Sequence, residues 1–260
     1  MTAILRLESR KRIRGSVALV VVFGLLSAMY FSMFPGIEEE LDELAEGFPD
    51  FFFEVFGIEA LDTIEGFIAA EIYSFFWVVL LAIYFAYVGA GMITADVRTR
   101  RMDLTLSNPI SRESVVLQKA ASLWVPIVVL NVTVPIIVYV GAQLIGESID
   151  PIALAMVHVL SIPYLLVCGT IGLAISAYAD HVRSARAGAI TLVFVLWLID
   201  GFSRLDEDLE WVGALTPSRY YEETAILVHE EFAYADAALL LVVFVVLLAI
   251  AVVVFRRRDI

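Results

Sequence analysis

Residues Ile93–Lys119 read ITADVRTRRMDLTLSNPISRESVVLQK, a polar and basic stretch between two apolar runs of membrane-spanning length. It holds five of the chain's 17 basic residues. Around it the chain is 61% hydrophobic and 18% charged, with a mean hydropathy of +0.88. A soluble domain does not need so much apolar surface. The sequence therefore predicts an all-α integral membrane protein.

The apolar runs on both sides of this stretch predict six transmembrane helices. A helix needs ~20 apolar residues to cross the ~30 Å hydrocarbon core of a bilayer. The predicted spans lie at about 16–34, 72–95, 120–145, 152–179, 187–200 and 237–255. The chain thus forms a single transmembrane domain, with a loop at 96–119 and outer segments at 35–71 and 201–236.

The distribution of charge predicts the orientation of these spans. Fifteen of the 17 basic residues lie in residues 1–15, 93–119, 180–186 and 256–258, whereas 24 of the 30 acidic residues lie in or beside 35–71, 146–151 and 201–236. Short cytoplasmic loops carry the excess of Lys and Arg. The pattern predicts a multi-pass protein of the cell membrane, with both termini and the 96–119 loop in the cytoplasm.

Two charged segments, residues 1–15 and 35–71, predict helices that lie on the membrane surface. Residues 1–15 carry five basic residues and one acid, which predicts an amphipathic N-terminal helix on the inner surface. A disordered basic leader and a cleavable signal peptide are the alternatives, but the run at 16–34 exceeds the ~7–15 residues of a signal peptide's apolar region. Residues 35–71 carry twelve acids and no base, and predict helices on the outer surface.

The net charge of −13 is concentrated on the predicted outer face. Arg outnumbers Lys by 15 to 2. The carboxylates of such a face repel one another in dilute salt, and this repulsion is screened within a few Å at molar salt. We interpret it as adaptation to a hypersaline medium, as in a halophilic archaeon. The alternative is an acidic face that attracts a cationic substrate.

Several catalytic motifs are missing. Neither Lys11 nor Lys119 follows a glycine, so the sequence contains no P-loop and predicts no ATPase activity of its own. The three histidines and the single Cys168 have no metal-ligand spacing, which predicts no metal site and no disulfide within the chain. The pairs Glu222-Glu223 and Glu230-Glu231 lack the arginine that follows the glutamates in a double-glutamate intramembrane protease. The simplest interpretation is that both pairs lie on a solvated outer face.

Uncharged polar residues inside the predicted spans are candidates for a translocation path. They are Asn131, Thr133, Gln143 and Thr170. Hydrogen bonding between neighbouring helices explains such residues equally well. Because no acid or base lies deep in a span, the sequence argues against an ion-coupled pump, and the energy for transport has to come from elsewhere.

The local pattern of the 96–119 loop predicts a helix–turn–helix. Pro109 disfavours a helical conformation at the residue before it, and Ser111 can cap the helix that follows, with Glu113 in its first turn. A rigid short helix held between two spans could transmit a push to them, which a flexible linker could not. An ordinary basic anchor loop is the alternative interpretation.

This loop resembles the first cytoplasmic loop of ABC type 2 permeases, the membrane subunits of ABC exporters. The matching residues are Asp96, Leu106, Ser107, Pro109, Ile110, Ser111, Arg112 and Lys119. Arg100-Arg101-Met102-Asp103 departs from the family pattern. Leu215-Thr216-Pro217-Ser218 and the terminal Phe255-Arg256-Arg257-Arg258-Asp259 resemble two further family segments.

The resemblance implies a transport subunit driven by a separate ABC ATPase, which would bind the ATP and Mg²⁺. It implies a homodimer or heterodimer of permeases in the lipid bilayer, with the eight residues above contacting the ATPase and no nucleic acid partner. It implies a coupling helix at about Leu104–Val115 and a second coupling turn at Asp180, Arg183 and Arg186. The alternative function is a non-transport scaffold or accessory subunit that anchors a cytoplasmic partner.

The resemblance also bears on the fifth span, in which only Ala187–Ile199 is free of charge, roughly 20 Å of helix. It implies a partial span, followed by a piece at Trp211–Ser218 that dips back into the membrane. An ordinary tilted span, with Arg186 snorkelling at one end and Asp200 at the outer surface, is the alternative.

Overall fold

A computed structural model describes residues 3–45, 47 and 49–259 of the chain. Residues 46 and 48, and the side chains of 37–45, 50, 52 and 54, belong to the predicted outer segment 35–71 and lie outside this description. The described residues form helices and turns, with no strand among them. Six helical stretches are long and apolar enough to cross a membrane. The predicted all-α class with six spans is thereby confirmed.

The helices follow one another with short connections. Their bounds are α1 Ala3–Ala45, α2 Asp50–Phe56, α3 Ile64–Ile68, α4 Ala82–Gly91, α5 Thr94–Arg98, α6 Arg101–Leu106, α7 Arg112–Ala121, α8 Trp124–Ile145, α9 Pro151–Tyr178, α10 Val182–Ser203, α11 Glu210–Gly213, α12 Glu223–Val228 and α13 Tyr234–Arg257. The candidate spans are Ala3–Gly36, Ile64–Arg98, Arg112–Ile145, Pro151–Tyr178, Val182–Ser203 and Tyr234–Arg257.

Helix α1 joins two elements that the sequence analysis treats separately. It runs for 43 residues from the basic N-terminal segment through the first span, with Pro35 inside it. Its first turns are held to the bundle, because the backbone N–H of Leu5 donates to Gln118 of α7 at 3.2 Å. The basic segment is therefore a direct extension of the first span.

Helix α10 extends beyond the charge-free run of the fifth predicted span. It is one continuous helix of 22 residues, about 33 Å long, which begins before Arg186 and continues beyond Asp200. By length and composition it is a candidate for a full span. After it, residues 204–233 contain only short helices, the longest being the six residues of α12.

Helix α9 is the centre of the bundle. Most of its residues are buried between α4, α13, α10 and α8. Its contact with α4 is close enough to need glycine: a Cβ at Gly89 would lie 2.0 Å from the carbonyl oxygen of Gly169, and one at Gly172 would lie 2.1 Å from that of Ala86. Small residues of this kind let helix backbones approach closely in membranes.

The second span contains a wide helical segment, Ala69–Leu81. It is a π-helix, in which the backbone hydrogen bonds join residues five apart instead of four as in an α-helix. Such winding is usually limited to a single turn and marks functional sites. The carbonyl oxygen of Val78 in this segment accepts a hydrogen bond from the Tyr164 hydroxyl at 2.8 Å. This bond ties the wide segment to the central helix α9.

Candidate coupling site

One end of the bundle, here called the basic end, brings together residues 3–15, 94–122, 176–186 and 255–259. Its centre is the ammonium group of Lys119, which is 2% exposed. The Nζ atom lies 2.5 Å from Asp96 Oδ2 and 3.2 Å from Glu8 Oε1. The predicted residues Asp96 and Lys119 are therefore in direct contact, and Glu8 joins them from α1.

This buried triad connects three parts of the chain that are far apart in sequence. Glu8 is on α1, Asp96 on α5 and Lys119 on α7. Glu8 also accepts from Lys11 at 2.8 Å and lies 3.5 Å from Arg12. A buried charge is tolerated when it is paired, and removal of one partner is strongly destabilising. The triad thus fixes both ends of the 96–119 loop to the first helix.

Arg112 connects the same loop to the last helix. Its guanidinium Nη1 donates to the carbonyl oxygens of Phe255 and Arg256 at 3.2 Å each, and to that of Arg258. The carbonyl groups at the end of a helix lack partners within the helix and carry partial negative charge, so a cation there is stabilising. Arg112 therefore caps the C-terminal end of α13.

Arg258 extends this connection to the central helix. Its guanidinium donates to the carbonyl oxygens of Ser176, Ala177 and Ala179 at 2.8–3.3 Å, at the C-terminal end of α9. Ser176 also binds the start of α5, because its carbonyl oxygen accepts from the Thr94 hydroxyl at 3.0 Å. A continuous set of polar contacts thus runs from Arg112 through α13 and α9 back to the loop.

The loop itself is folded as two helices around a turn. The Ser111 hydroxyl accepts from the backbone N–H of Ser114 at 3.2 Å, which makes Ser111 the predicted cap of α7. The segment Leu104–Val115 is not one helix: α6 ends at Leu106 and α7 begins at Arg112, because Pro109 interrupts the helical path between them. Arg100 opens the turn before α6 in a left-handed conformation, with φ of 56°.

A groove on the outer side of this turn is the accessible part of the site. It is lined by Asp103, Leu106, Ser107, Ile110, Ser111 and Arg112. Five of these six were predicted as coupling residues, and Asp103 was not. Leu106 and Ile110 rest against the core from the groove floor, and Leu104 beside it is exposed. The groove is therefore an accessible surface formed by the turn between α6 and α7.

The second predicted coupling turn is only partly joined to this site. Asp180 accepts from Arg258 at 3.1 Å, so it belongs to the network at the end of α9. Arg183 is exposed. Arg186 lies apart from Asp180 and Arg183. Its guanidinium stacks over the ring of Tyr87 at 4.1 Å and lies beside Gly91. The structure therefore does not gather these three residues into one surface.

The four residues predicted for a translocation path are also not brought together. Asn131 accepts from Ser161 at 3.1 Å, which is a hydrogen bond between α8 and α9. Thr133 donates to Val129 within its own helix, and Gln143 is exposed near the end of α8. Thr170 is buried in α9. The contact of Asn131 is of the helix-to-helix kind that the sequence analysis gives as the alternative.

Three residues of the basic end were not among the predicted coupling residues: Glu8, Asp103 and Arg258. Glu8 is the single acid of a basic segment and gives no sign of burial in the sequence. Arg258 lies in the terminal segment that resembles the family, and that resemblance was the one signal that could have identified it.

The opposite end of the bundle, here called the acidic end, comprises residues 55–71, 146–151 and 200–236. Its glutamate pairs correct the prediction of a uniformly solvated face. Glu223 is buried and accepts from the Ser74 hydroxyl at 2.5 Å. Burial raises the pKa of Glu223 to about 7. Glu222 next to it pairs with Arg204 at 2.8 Å, while Glu230 and Glu231 are exposed as predicted.

The chain matches a known protein family over most of its length. Residues 2–206 match the family described as ABC-2 family transporter protein. The matched range includes the triad and the groove, and it stops before the 215–218 and 255–259 segments. A comparison with curated proteins finds no match. Because the matched range covers most of the sequence, the chain belongs to the ABC-2 family of transporter proteins, multi-pass membrane permeases that associate with an ABC ATPase.

Proposed function

We propose that this chain is the membrane subunit of an ABC exporter, and that the groove at Leu106–Arg112 receives the ATPase subunit. The chain itself hydrolyses no ATP, and ATP and Mg²⁺ are bound by the ATPase. Two copies of the chain, or this chain and a related permease, form the transport path. Closure of the ATPase pair pushes on α6 and α7 and shifts the spans between access states.

The observation that carries this proposal is the pair of connections made by α7. Arg112 at its start caps α13, and Lys119 near its end joins α1 and α5. A displacement of α7 is therefore passed to the first, second and sixth candidate spans together. A loop that served only as a basic anchor would not need buried ion pairs at this position.

The orientation of the chain follows from its two ends. We infer that the basic end faces the cytoplasm, because cytoplasmic loops are enriched in Lys and Arg. Both termini are then cytoplasmic, and the acidic end faces the exterior. Cysteine labelling with a membrane-impermeant maleimide tests this on cells that express variants with Cys168 replaced. A cysteine at Glu207 is expected to react from outside, and one at Leu104 only after lysis.

The coupling role is tested by substitution within the groove. Arg112→Glu and Pro109→Leu are expected to abolish ATP-dependent transport and to lower the yield of the ATPase that co-purifies with the chain. Insertion into the membrane should be unchanged. Arg219→Glu, a charge reversal at the acidic end, is the matched control. Full co-purification and transport in both groove variants would refute the proposal. A basic end that binds a cytoplasmic protein other than an ATPase would favour the scaffold function instead.

The acidic end supports a second part of the proposal, adaptation to high salt. Most of its carboxylates are exposed, and their mutual repulsion is screened only at high ionic strength. We expect the thermal unfolding temperature to rise steeply between low and molar KCl. A protein that is equally stable across this range would contradict a hypersaline setting.

A further inference from the structure

Two arginines from different helices come close together beside the buried triad of the basic end. Arg12 lies one turn of α1 after Glu8, and Arg186 lies near the start of α10. The positive charges of the two arginines are close enough to act on each other. Like charges at close range repel one another, and an anion beside them removes this repulsion. The arginine pair is therefore a candidate anion site.

The chain itself does not supply the full set of partners for this pair. The Nε atom of each arginine is covered from solvent and has no hydrogen-bond partner among the described residues. Arg12 lies 3.5 Å from Glu8, but Glu8 is shared with Lys11 and Lys119. No carboxylate among the described residues pairs with Arg186. Because buried charges are normally paired, the arginine pair lacks an anion.

The outer edges of the guanidinium groups are the atoms that an anion can reach. The side chain of Arg12 is 15% exposed and Arg186 is half-buried, although both Nε atoms are covered. The Nη atoms of Arg186 remain accessible and unpaired in the described part of the chain. Guanidinium N–H groups match the geometry of phosphate oxygens and can donate two parallel hydrogen bonds to them. A phosphate group thus fits the unpaired edge.

Helix α4 holds both arginines beside one of its faces. The Arg186 guanidinium stacks over the ring of Tyr87 at 4.1 Å. Gly91, one turn further along α4, leaves room for it, because a Cβ there would lie 2.8 Å from Nη2 of Arg186. Tyr84, three residues before Tyr87, is close enough to Arg12 to interact with its charge. A guanidinium that is already stacked loses little freedom when it binds an anion.

The surface beside the pair determines the source of the phosphate. Along the second candidate span, Phe76, Leu80, Tyr84 and Tyr87 follow one another at spacings of three or four and form one stripe. Leu80 and Tyr87 are exposed, whereas Phe76 and Tyr84 are half-buried. The stripe leads from the arginines into the apolar part of the span. An acyl chain can lie along it, and a soluble anion gains nothing from it.

Helix α1 borders this stripe along its length. A Cβ at Gly15 would lie 2.9 Å from the Tyr84 hydroxyl oxygen, and the rings of Tyr30 and Phe76 are 6.5 Å apart. Helix α10 borders the stripe at Tyr87 through Arg186. A molecule on the stripe is therefore in reach of both arginines at the end near the triad.

We propose that Arg12 and Arg186 bind the phosphate group of an anionic phospholipid in the leaflet beside the basic end, with an acyl chain along the stripe on the second span. The proposal goes beyond ATP-driven transport and does not rest on it, because lipid binding is a property of the purified chain alone. The excess of positive charge selects an anionic headgroup over a zwitterionic one.

Native mass spectrometry of the full chain tests this binding. The chain is released from detergent micelles that contain phosphatidylglycerol and phosphatidylcholine in equal amounts, with identical acyl chains. Both lipids carry a phosphodiester, but only phosphatidylglycerol has a net negative charge. We expect phosphatidylglycerol to be retained at least about tenfold more than phosphatidylcholine. Equal retention of the two lipids, or release of the chain without lipid, would overturn the proposal.

Two further outcomes identify other occupants and would also overturn it. Inorganic phosphate at the concentration of phosphatidylglycerol is expected to leave the bound lipid in place, and full displacement would identify a site for a soluble anion. A dimer of the chain that retains no lipid would show that a second copy covers the stripe.

Variants locate the site. Arg12→Gln and Arg186→Gln are each expected to lower the preference for phosphatidylglycerol severalfold, because each removes donors to the phosphate. Arg14→Gln is the matched control, since it removes the same charge from an exposed residue about 200° around α1 from Arg12. It should keep the wild-type preference.

An unchanged preference in both pair variants would refute the assignment. An equal loss in all three variants would do the same, because it would mean a general attraction of lipid to a basic surface. If Arg12→Gln does not fold, since Glu8 loses one of its partners, Arg186→Gln decides alone.

Discussion

The basic and acidic ends of this bundle use charge in different ways. At the basic end, Lys119 joins α1 and α5, Arg112 binds the end of α13, and Arg258 binds the end of α9, so these cations join separate helices. At the acidic end, short helices carry many exposed carboxylates, and the buried ones surround a cavity. The difference teaches that charged side chains join helices at one end and form a largely exposed acidic surface at the other.

The largest effect is expected at the centre of the basic end. Lys119→Met leaves the half-buried Asp96 without its cation and leaves Glu8 with only Lys11 and Arg12, at a cost near the low end of the about 3–5 kcal/mol for a broken buried ion pair. We expect a much lower thermal unfolding temperature in detergent, with the chain still inserted in the membrane. The triple variant Glu8→Gln, Asp96→Asn, Lys119→Met removes all three charges and should recover most of the loss. A single variant as stable as the wild type would show that the triad does not hold the helices together.

The next effect concerns the buried carboxyl group of the acidic end. The pKa of Glu223 in the folded protein is about 7, above its ordinary value of 4.5, because burial disfavours the charged form. The folded state thus retains a proton that the unfolded state has lost. Stability from this group is complete below about pH 4.5 and falls as the pH rises through 7, by about 3 kcal/mol at most.

The measurement is the unfolding temperature of the wild type relative to Glu223→Gln between pH 4.5 and 8. Gln has no charge to lose, so the wild type should become progressively less stable than this variant as the pH rises. The difference isolates Glu223 from the other acids. A constant difference across the range would mean that Glu223 titrates as an exposed glutamate.

A moderate effect is expected at Arg258. Arg258→Gln removes the cation from the carbonyl groups at the end of α9 and from Asp180, with a cost of about 1.5–3 kcal/mol. The consequence should be local. Hydrogen exchange is expected to accelerate at residues 176–186 and at 93–97, which share Ser176, and to remain slow in α8 away from the contact. Arg257→Gln is the neighbouring control, and uniform acceleration over the whole chain would argue against a local cap.

The smallest effect is expected on the exposed surface of the acidic end. Glu207→Gln removes one of many exposed carboxylates and should change the free energy of unfolding by less than about 0.5 kcal/mol. The size of this change should depend on salt: the variant should be slightly more stable than the wild type in dilute buffer and equally stable at molar KCl. A loss as large as that of Lys119→Met would remove the distinction between the two ends.

Hydropathy and charge predicted the six spans because each signal is local in the chain. The same is true of Ser111, whose role as a helix cap depends on the next three residues. The contacts of Arg258 with α9 and of Ser74 with Glu223 join residues that are 79 or more positions apart. No periodicity records such pairings, and for this reason the buried Glu223 was taken for a solvated residue.

The width of the helix at Ala69–Leu81 was missed for a related physical reason. Its composition is that of an ordinary apolar span, and the hydropathy of AAEIYSFFWVVLL fits an α-helix equally well. The π-helical segment can be recognised only in the folded protein, where other helices supply its partners. The Tyr164 hydroxyl donates to the carbonyl oxygen of Val78, and the Ser74 hydroxyl donates to Glu223. Local propensity does not encode partners supplied by other helices.

The Glu8–Lys119 contact also imposes an order on biosynthesis. Glu8 leaves the ribosome 111 residues before its partner. At a synthesis rate of roughly 5–20 residues per second, Glu8 waits roughly 6–20 s for Lys119, and meanwhile has only Lys11 and Arg12 of its own helix as partners. Two spans are thus made before the third supplies the ammonium group that lets α1 settle. The final position of α1 against α7 can therefore be reached only after the start of the third candidate span has been made.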